Sequence, residues 1–222
     1  MNIHLSRLER RRLFYTFICN SVQVDICVVT ETRFREGQGA NRMLEVIDSD
    51  TFTWFGRDRR KQRLISGEGG VGILVRNRIG RTTVAKVSND FDIIWIQINI
   101  GIETLYIAAV YMSPIGTTRE TDAANFRLEL EDDIVHFRAL GKVVVMGDLN
   151  SRIGNTPSVV LKSGRLRSFN RITKDNKVTR QGKDLIESLN ANSMIILNGI
   201  DGGGENTFIS RHSGEPRSTI SS

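Results

Sequence analysis

A chain of 222 residues is long enough for one large domain with a substantial core, and its 39% hydrophobic and 25% charged residues are ordinary for a soluble globular protein. No apolar run approaches the roughly 20 residues of a membrane-spanning helix, and arginines at 7 and 10–12 occupy the place where a secretory signal would carry its apolar stretch. The net charge of +6 and a pI near 9.7 favour an anionic partner without specifying one.

In chain order, residues 5–19 place Leu5, Leu8, Phe14, Phe17 and Ile18 at helical spacing among arginines. Residues 24–29 form a short, nearly continuous apolar run that predicts a strand covered on both faces, ending at Thr30-Glu31-Thr32. Cys19 and Cys27 are expected to be reduced and buried in an intracellular protein, nuclear or cytoplasmic. A β-prone segment follows at 51–55, then the glycine-rich block 69–75, whose glycines suit a turn before a strand. Ile94, Ile96, Ile98 and Ile100 alternate with polar or aromatic residues, the clearest strand pattern in the chain, and 105–110 gives the next strand. Residues 123–140 predict an amphipathic helix with Phe126, Leu130, Ile134 and Phe137 on one stripe.

A buried strand at 143–146 breaks at Gly147-Asp148-Leu149-Asn150. A long polar, basic stretch then runs to Arg180, followed by a short helix around Leu185, Ile186 and Leu189 and a strand at 194–197. Weaker strand candidates lie at 206–210 and 218–220. No linker separates two compositions, so a single domain is expected over residues 1–222, and successive strands with occasional helices predict a mixed sheet sandwich.

Three of these strands terminate in polar residues able to serve a metal or a phosphate: Glu31, Tyr111, and Asp148 with Asn150. A buried strand holds its last residue rigidly, as a pre-organised site requires. Taken singly, each reads more simply as the polar cap of a strand reaching solvent. The basic residues concentrate in two places: Arg57, Arg59, Arg60, Lys61 and Arg63, and a stretch including Arg165, Arg167, Arg171, Lys174, Lys177 and Arg180, opposed only by Asp175. Such surfaces attract polyphosphate chains by releasing counterions. His4 and His136 sit in helical patterns and His212 in a loop, where structural or solvated roles are expected.

In order and spacing, Thr30-Glu31-Thr32, the block 69–75, Ala109-Val110-Tyr111-Met112-Ser113-Pro114 and Val145-Met146-Gly147-Asp148-Leu149-Asn150 resemble the signature blocks of the endonuclease/exonuclease/phosphatase superfamily. Arg180-Gln181-Gly182 before a helix, 195–198, 206–210 and 218–220 look most like the endonuclease domains of non-LTR retrotransposons. The resemblance implies a DNase I-like four-layer α/β sandwich of two packed mixed sheets with flanking helices. It also implies phosphodiester hydrolysis with Mg2+, or Mn2+ in its place. It makes Glu31 the metal-binding glutamate, Tyr111 the phosphate-facing tyrosine, and Asp148 and Asn150 the Asp-x-Asn pair. Asn2 falls where the family has an asparagine closing its first strand.

DNA is the implied partner, with a reverse transcriptase as companion in a parent element; no membrane partner is expected, and the oligomeric state is left open. Lipid phosphatases, sphingomyelinases and deadenylases share the core blocks, and the basic balance favours DNA over lipid. The same resemblance sets two departures. Ser221 stands where the family has an aspartate, and the first strand, the last strands and a C-terminal Asp-His pair have no counterpart in the sequence. The expectation is therefore a domain incomplete at its C-terminus, and the second reading is an inactive remnant that at most binds nucleic acid through its basic loops.

Overall fold

The computed structural model describes residues 8–21, 24–58, 69–114, 123–200, 208–209 and 216–217, without the side chains of 19–21, 208–209 and 216–217. Asn2, His4, His212, Ser221, the basic residues Arg59, Arg60, Lys61 and Arg63, the side chain of Cys19 and the segment 218–220 lie outside them. The chain forms two compact units, Met1–Met112 with Phe137–Gly147, and Ser113–His136 with Asp148–Ser222.

In the first unit, helix α1 (Leu8–Ser21) leads to strand β1 (Ile26–Thr30), the short helix α2 (Gly39–Leu44), β2 (Phe52–Arg57) and β3 (Val71–Arg76). These strands form an antiparallel sheet in the order β1-β3-β2. A 3-10 turn, Asn77–Ile79, precedes β4 (Arg81–Val87), β5 (Asp92–Ile100) and β6 (Glu103–Tyr111); β7 (Lys142–Asp148) completes a second sheet ordered β4-β5-β6-β7. The β4-β5 and β5-β6 pairs are antiparallel. Gly141 lies against the Thr104 carbonyl and Gly147 against that of Val110, so β7 runs parallel to β6 and this sheet is mixed. At Gly147, where φ is 142°, a side chain would collide with that carbonyl.

The alternation in β5 explains how the layers assemble. Ile94, Ile96 and Ile98 face the other sheet and pack with Val28, Val71, Ile73, Val75, Ile107 and Ala109. On the opposite face Trp95 meets Phe137, the end of helix α3 (Ala123–Arg138), which also stacks on Tyr106. Phe14 and Ile18 of α1 and Met43 of α2 cover the outer face of the first sheet, against Val29, Phe52 and Leu74. Within this unit the layers are thus helix, sheet and sheet.

Phe126, Leu130, Ile134 and Phe137 are all buried on α3, and His136 is exposed. In the second unit, α3 is followed by the antiparallel hairpin of β8 (Ser158–Lys162) and β9 (Arg165–Phe169), and by helix α4 (Arg180–Ala191). The stretch 149–180 therefore contains a hairpin that its polar composition does not announce. Residues 194–197 join no sheet; Ile196 is instead fixed by its N–H donating to Ser158 Oγ at 3.0 Å. Two short strands, β10 (Phe208–Ile209) and β11 (Pro216–Arg217), pair antiparallel. β4, α2 and the β8-β9 hairpin are absent from the sequence reading. β4 carries mostly exposed residues and α2 spans less than two turns, so neither generates a strong periodic signal.

Candidate active site

β1 ends at Thr30, and the next three residues leave extended geometry: Glu31 has φ 53° and Arg33 φ 58°, the left-handed region that non-glycine residues seldom occupy. The backbone is held there by Thr32 N–H donating to the Gly70 carbonyl at 3.1 Å and Arg33 N–H to that of Gly69 at 3.0 Å. Gly69 and Gly70 themselves have φ 103° and 85°, and a Cβ on Gly70 would press on Thr32 Oγ1. The glycine-rich block therefore shapes the bend that presents Glu31. Local strain of this kind costs on the order of 1–3 kcal/mol per residue and persists where surrounding contacts impose it.

The Glu31 carboxylate is gripped from both sides. Tyr111 donates its hydroxyl to Oε1 at 3.1 Å, and Arg33 Nη2 donates to Oε2 at 3.3 Å. Tyr111 closes β6 and is buried, and its register partner Asp92 forms a buried ion pair with Arg57, Nη1 to Oδ1 at 2.5 Å. Arg57 also donates Nε to the Ser88 carbonyl at 3.0 Å. Its place in the basic cluster is thus corrected: it is a buried link between β2 and β5, spent on Asp92. Thr32 is fully buried, and its hydroxyl has no hydrogen-bond partner among the described residues.

In the second unit, Asn150 has φ 44° and donates its N–H to Asp148 Oδ1 at 2.9 Å, a tight turn that fixes the carboxylate relative to its own backbone. Leu149 between them is buried, and the fully buried Ser151 donates its hydroxyl to the Leu149 carbonyl at 2.9 Å. Beyond the turn the chain is pinned by polar contacts. Arg152 grips Asp175 bidentately, Nε to Oδ2 at 2.7 Å and Nη2 to Oδ1 at 2.5 Å. Asn155 Oδ1 accepts from Thr173 N–H at 2.7 Å. Thr179 caps α4, its hydroxyl accepting from Gly182 N–H at 3.1 Å, and Gly182 admits the Arg152 carbonyl where any side chain would block it. The Arg180-Gln181-Gly182 block is the first turn of this helix.

Lys162, Arg165, Arg167, Lys174, Lys177 and Arg180 are exposed. Arg171 is not. It is 4% exposed and donates to three backbone carbonyls, those of Asn198 at 2.5 Å, Gly154 at 3.1 Å and Thr156 at 3.4 Å. Burial lowers its pKa from the usual arginine range. Arg171 is therefore a correction to the basic-surface reading, because its guanidinium is consumed in joining loops. Asp175 is buried and paired with Arg152. Cys27 is a free, half-buried thiol whose pKa is pushed up by burial.

The structure thus brings Glu31 and Tyr111 together in one unit and Asp148 and Asn150 together in the other. Arg33 escaped the sequence reading because only the bend at Glu31, invisible in composition, turns it back onto the carboxylate. A match to the endonuclease/exonuclease/phosphatase family extends over residues 4–220. The chain belongs to this family. It thereby joins a superfamily of nucleases and phosphodiesterases that generally depend on divalent metals.

Among solved structures, the chain is similar to the endonuclease domain of TRAS1, a telomere-specific non-LTR retrotransposon, at 13% identity and a TM-score of 0.63, covering 99% of this chain and 81% of that one. That likeness shows the DNase I-like fold. Lesser likenesses are to the Neisseria meningitidis 3'-5' exonuclease NExo (13% identity, 69% of this chain and 57% of that one, TM-score 0.47) and to D. rerio TDP2 complexed with single-strand DNA product (13%, 68% and 56%, 0.44). The chain spans little more than half the length of these last two. No curated protein sequence matches it.

The Glu31 carboxylate and the Tyr111 phenol offer the hard oxygen atoms that the family's metal requires, and a cation on Oε2 would displace the Arg33 guanidinium held there. Among the described residues no group of three or more His, Cys, Asp or Glu gathers. The arrangement suits a cation such as Mg2+ that keeps much of its water shell. No helix among the described residues is long and apolar enough to cross a membrane.

Proposed function

We propose that the chain is a DNA endonuclease domain of retroelement origin that hydrolyses phosphodiesters with Mg2+, which Mn2+ can replace. The observation that carries this reading is the Glu31 carboxylate, held at the end of β1 by Tyr111 and Arg33 in a chain matched to the family over residues 4–220. Glu31 is the residue that would hold the cation. When bound, the cation polarises the phosphate and stabilises the leaving oxygen. Tyr111 fixes the orientation of Glu31 and offers its ring edge to the phosphate.

Asp148 accepts the proton of the attacking water, and the Asn150 amide donates to a phosphate oxygen, a contact that strengthens as charge develops there. Asn2, by its match to the family's first-strand asparagine, is a further candidate for a polar contact to the phosphate. The exposed cations from Lys162 to Arg180 support nucleic acid over lipid as substrate, because repeated phosphates release counterions along such a surface. The likeness of the sequence blocks to retrotransposon endonucleases supports the retroelement origin.

The test is relaxation of supercoiled plasmid by the purified chain in EDTA, Mg2+ and Mn2+, with Glu31→Gln alongside. Nicking in either metal, none in EDTA, and a rise of at least tenfold in the metal concentration needed by Glu31→Gln are expected. Absence of nicking in every metal would reject the reading in favour of an inactive remnant. Nicking in EDTA would reject the metal-dependent chemistry.

A further inference from the structure

Arg33 stands two residues beyond Glu31 and carries a permanent positive charge onto the carboxylate proposed to hold a divalent cation. The backbone imposes that position. Thr32 and Phe34 on either side are 0% and 1% exposed, and the Arg33 N–H is bound to the Gly69 carbonyl. With φ 53° at Glu31 and 58° at Arg33, the two side chains converge, and Nη2 donates to Oε2 at 3.3 Å. A charge-assisted bond of this kind is ordinarily about 2.7–2.9 Å long, so the contact is a loose one. Arg33 Nε is buried and has no hydrogen-bond partner among the described residues.

The Glu31 side chain is 14% exposed and that of Arg33 33%. A carboxylate so far withdrawn from water requires a counter-charge, and the guanidinium supplies one. Oε2 cannot hold that guanidinium and a divalent cation together, because two positive charges would meet at one oxygen. Loading of the carboxylate therefore requires Arg33 to leave. Once displaced, it is a cation beside a second charge of the same sign, an arrangement that an anion relieves. Nε and Nη2 form the side of the guanidinium that grips two oxygens through parallel bonds, as Arg152 does with Asp175. In Arg33 the first of these nitrogens is unused and the second is the one released from Oε2. That edge matches two oxygens of a phosphodiester.

We propose that Arg33 is a resident counter-cation on Glu31 that a divalent metal must displace, so that metal loading and capture of a phosphodiester are coupled. The anion draws the guanidinium from Oε2 and thereby opens the carboxylate. This rests on Glu31 as the metal-holding residue and deepens that reading, but it does not depend on hydrolysis taking place. The experiment measures Mn2+ binding to the full chain by titration calorimetry, alone and with dimethyl phosphate as a minimal phosphodiester. The unaltered chain is compared with Arg33→Gln, Arg33→Gly, Arg33→Lys and Glu31→Gln. Glutamine and glycine both remove the charge, and glycine also suits the left-handed backbone at this position, so one of them serves if the other lowers the melting temperature.

Without the anion, the uncharged variants should bind Mn2+ about fivefold more tightly than the unaltered chain, the factor expected when one partly exposed ion pair no longer competes. Arg33→Lys, which keeps the charge, should remain near the unaltered chain. Dimethyl phosphate should tighten Mn2+ binding in the unaltered chain, Mn2+ should tighten dimethyl phosphate binding by the same factor, and most of this coupling should vanish in the uncharged variants. An arginine that only supports the local fold acts in the opposite sense, since its loss would weaken Mn2+ binding. Weaker or unchanged Mn2+ binding in the uncharged variants would overturn the proposal, as would coupling that survives in them undiminished. Mn2+ binding indifferent to Glu31→Gln would remove the site, and both readings with it. A chain that shows the Arg33 effects yet never nicks plasmid leaves the coupling standing and removes the hydrolytic reading.

Discussion

In the first unit, isoleucines at every second position of β5 meet valines of β1 and β3 across the sandwich, and Trp95 lies on Phe137 behind them. In the second, the loops after β7 are fixed by Arg152 on Asp175, Arg171 on three carbonyls and Asn155 on Thr173. The first arrangement is held by apolar area, which tolerates many sequences of the right pattern. The second is held by directional bonds, each of which leaves a buried polar group unsatisfied when its partner is removed. Substitutions should therefore act in graded fashion in the sandwich and abruptly in the loops.

The largest expected effect is on the sandwich itself. Trp95→Ala should destabilise the chain by about 3–5 kcal/mol, the usual range for emptying a large aromatic site, measured by urea denaturation. A loss below about 1 kcal/mol would mean that Phe137 does not bear on β5. Arg171→Gln comes next, at about 2–4 kcal/mol, because it strands carbonyls of buried loops; Arg167→Gln, four residues earlier, should change stability by less than about 0.5 kcal/mol. Equal effects of the two would erase the distinction between structural and surface arginines on which the comparison depends.

Tyr111→Phe should cost about 1 kcal/mol by removing one hydrogen bond to Glu31, and should weaken Mn2+ binding in titration calorimetry by leaving the carboxylate free to turn. The smallest effect concerns Cys27. Burial raises its folded pKa above the ordinary value of 9.0, so the folded state retains the thiol proton longer than the unfolded chain does. The neutral thiol leaves stability intact below pH 9, and stability declines as pH rises through 9 and beyond. Cys27→Ala should lessen that decline in melting temperature, and thiol reagents should modify Cys27 slowly until the chain unfolds.

The contrast between the units also explains what the sequence could reveal. Ile94, Ile96 and Ile98 announce a strand because burial on one face imposes a period of two, and Phe126, Leu130, Ile134 and Phe137 announce α3 in the same way. Glu31, Tyr111, Asp148 and Asn150 stand out as polar endings of such runs, which singles them out as candidates without giving their contacts. No period accompanies Arg152 and Asp175, whose partnership spans a loop, a hairpin and a second loop. Arg171 reads as one more surface cation because composition records its charge and not its surroundings. Arg33 is drawn onto Glu31 only by two left-handed backbone conformations, which the flanking glycines permit and the residues themselves do not advertise.

The most direct measurement is plasmid nicking in magnesium by the unaltered chain and by Asp148→Ala, at equal protein and with equal melting temperatures. Withdrawing a positioned proton acceptor should slow nicking by about 10²–10⁴-fold while leaving duplex binding unchanged. Nicking by Asp148→Ala at the rate of the unaltered chain would contradict the account, since the activity would then belong to other residues or to a contaminant.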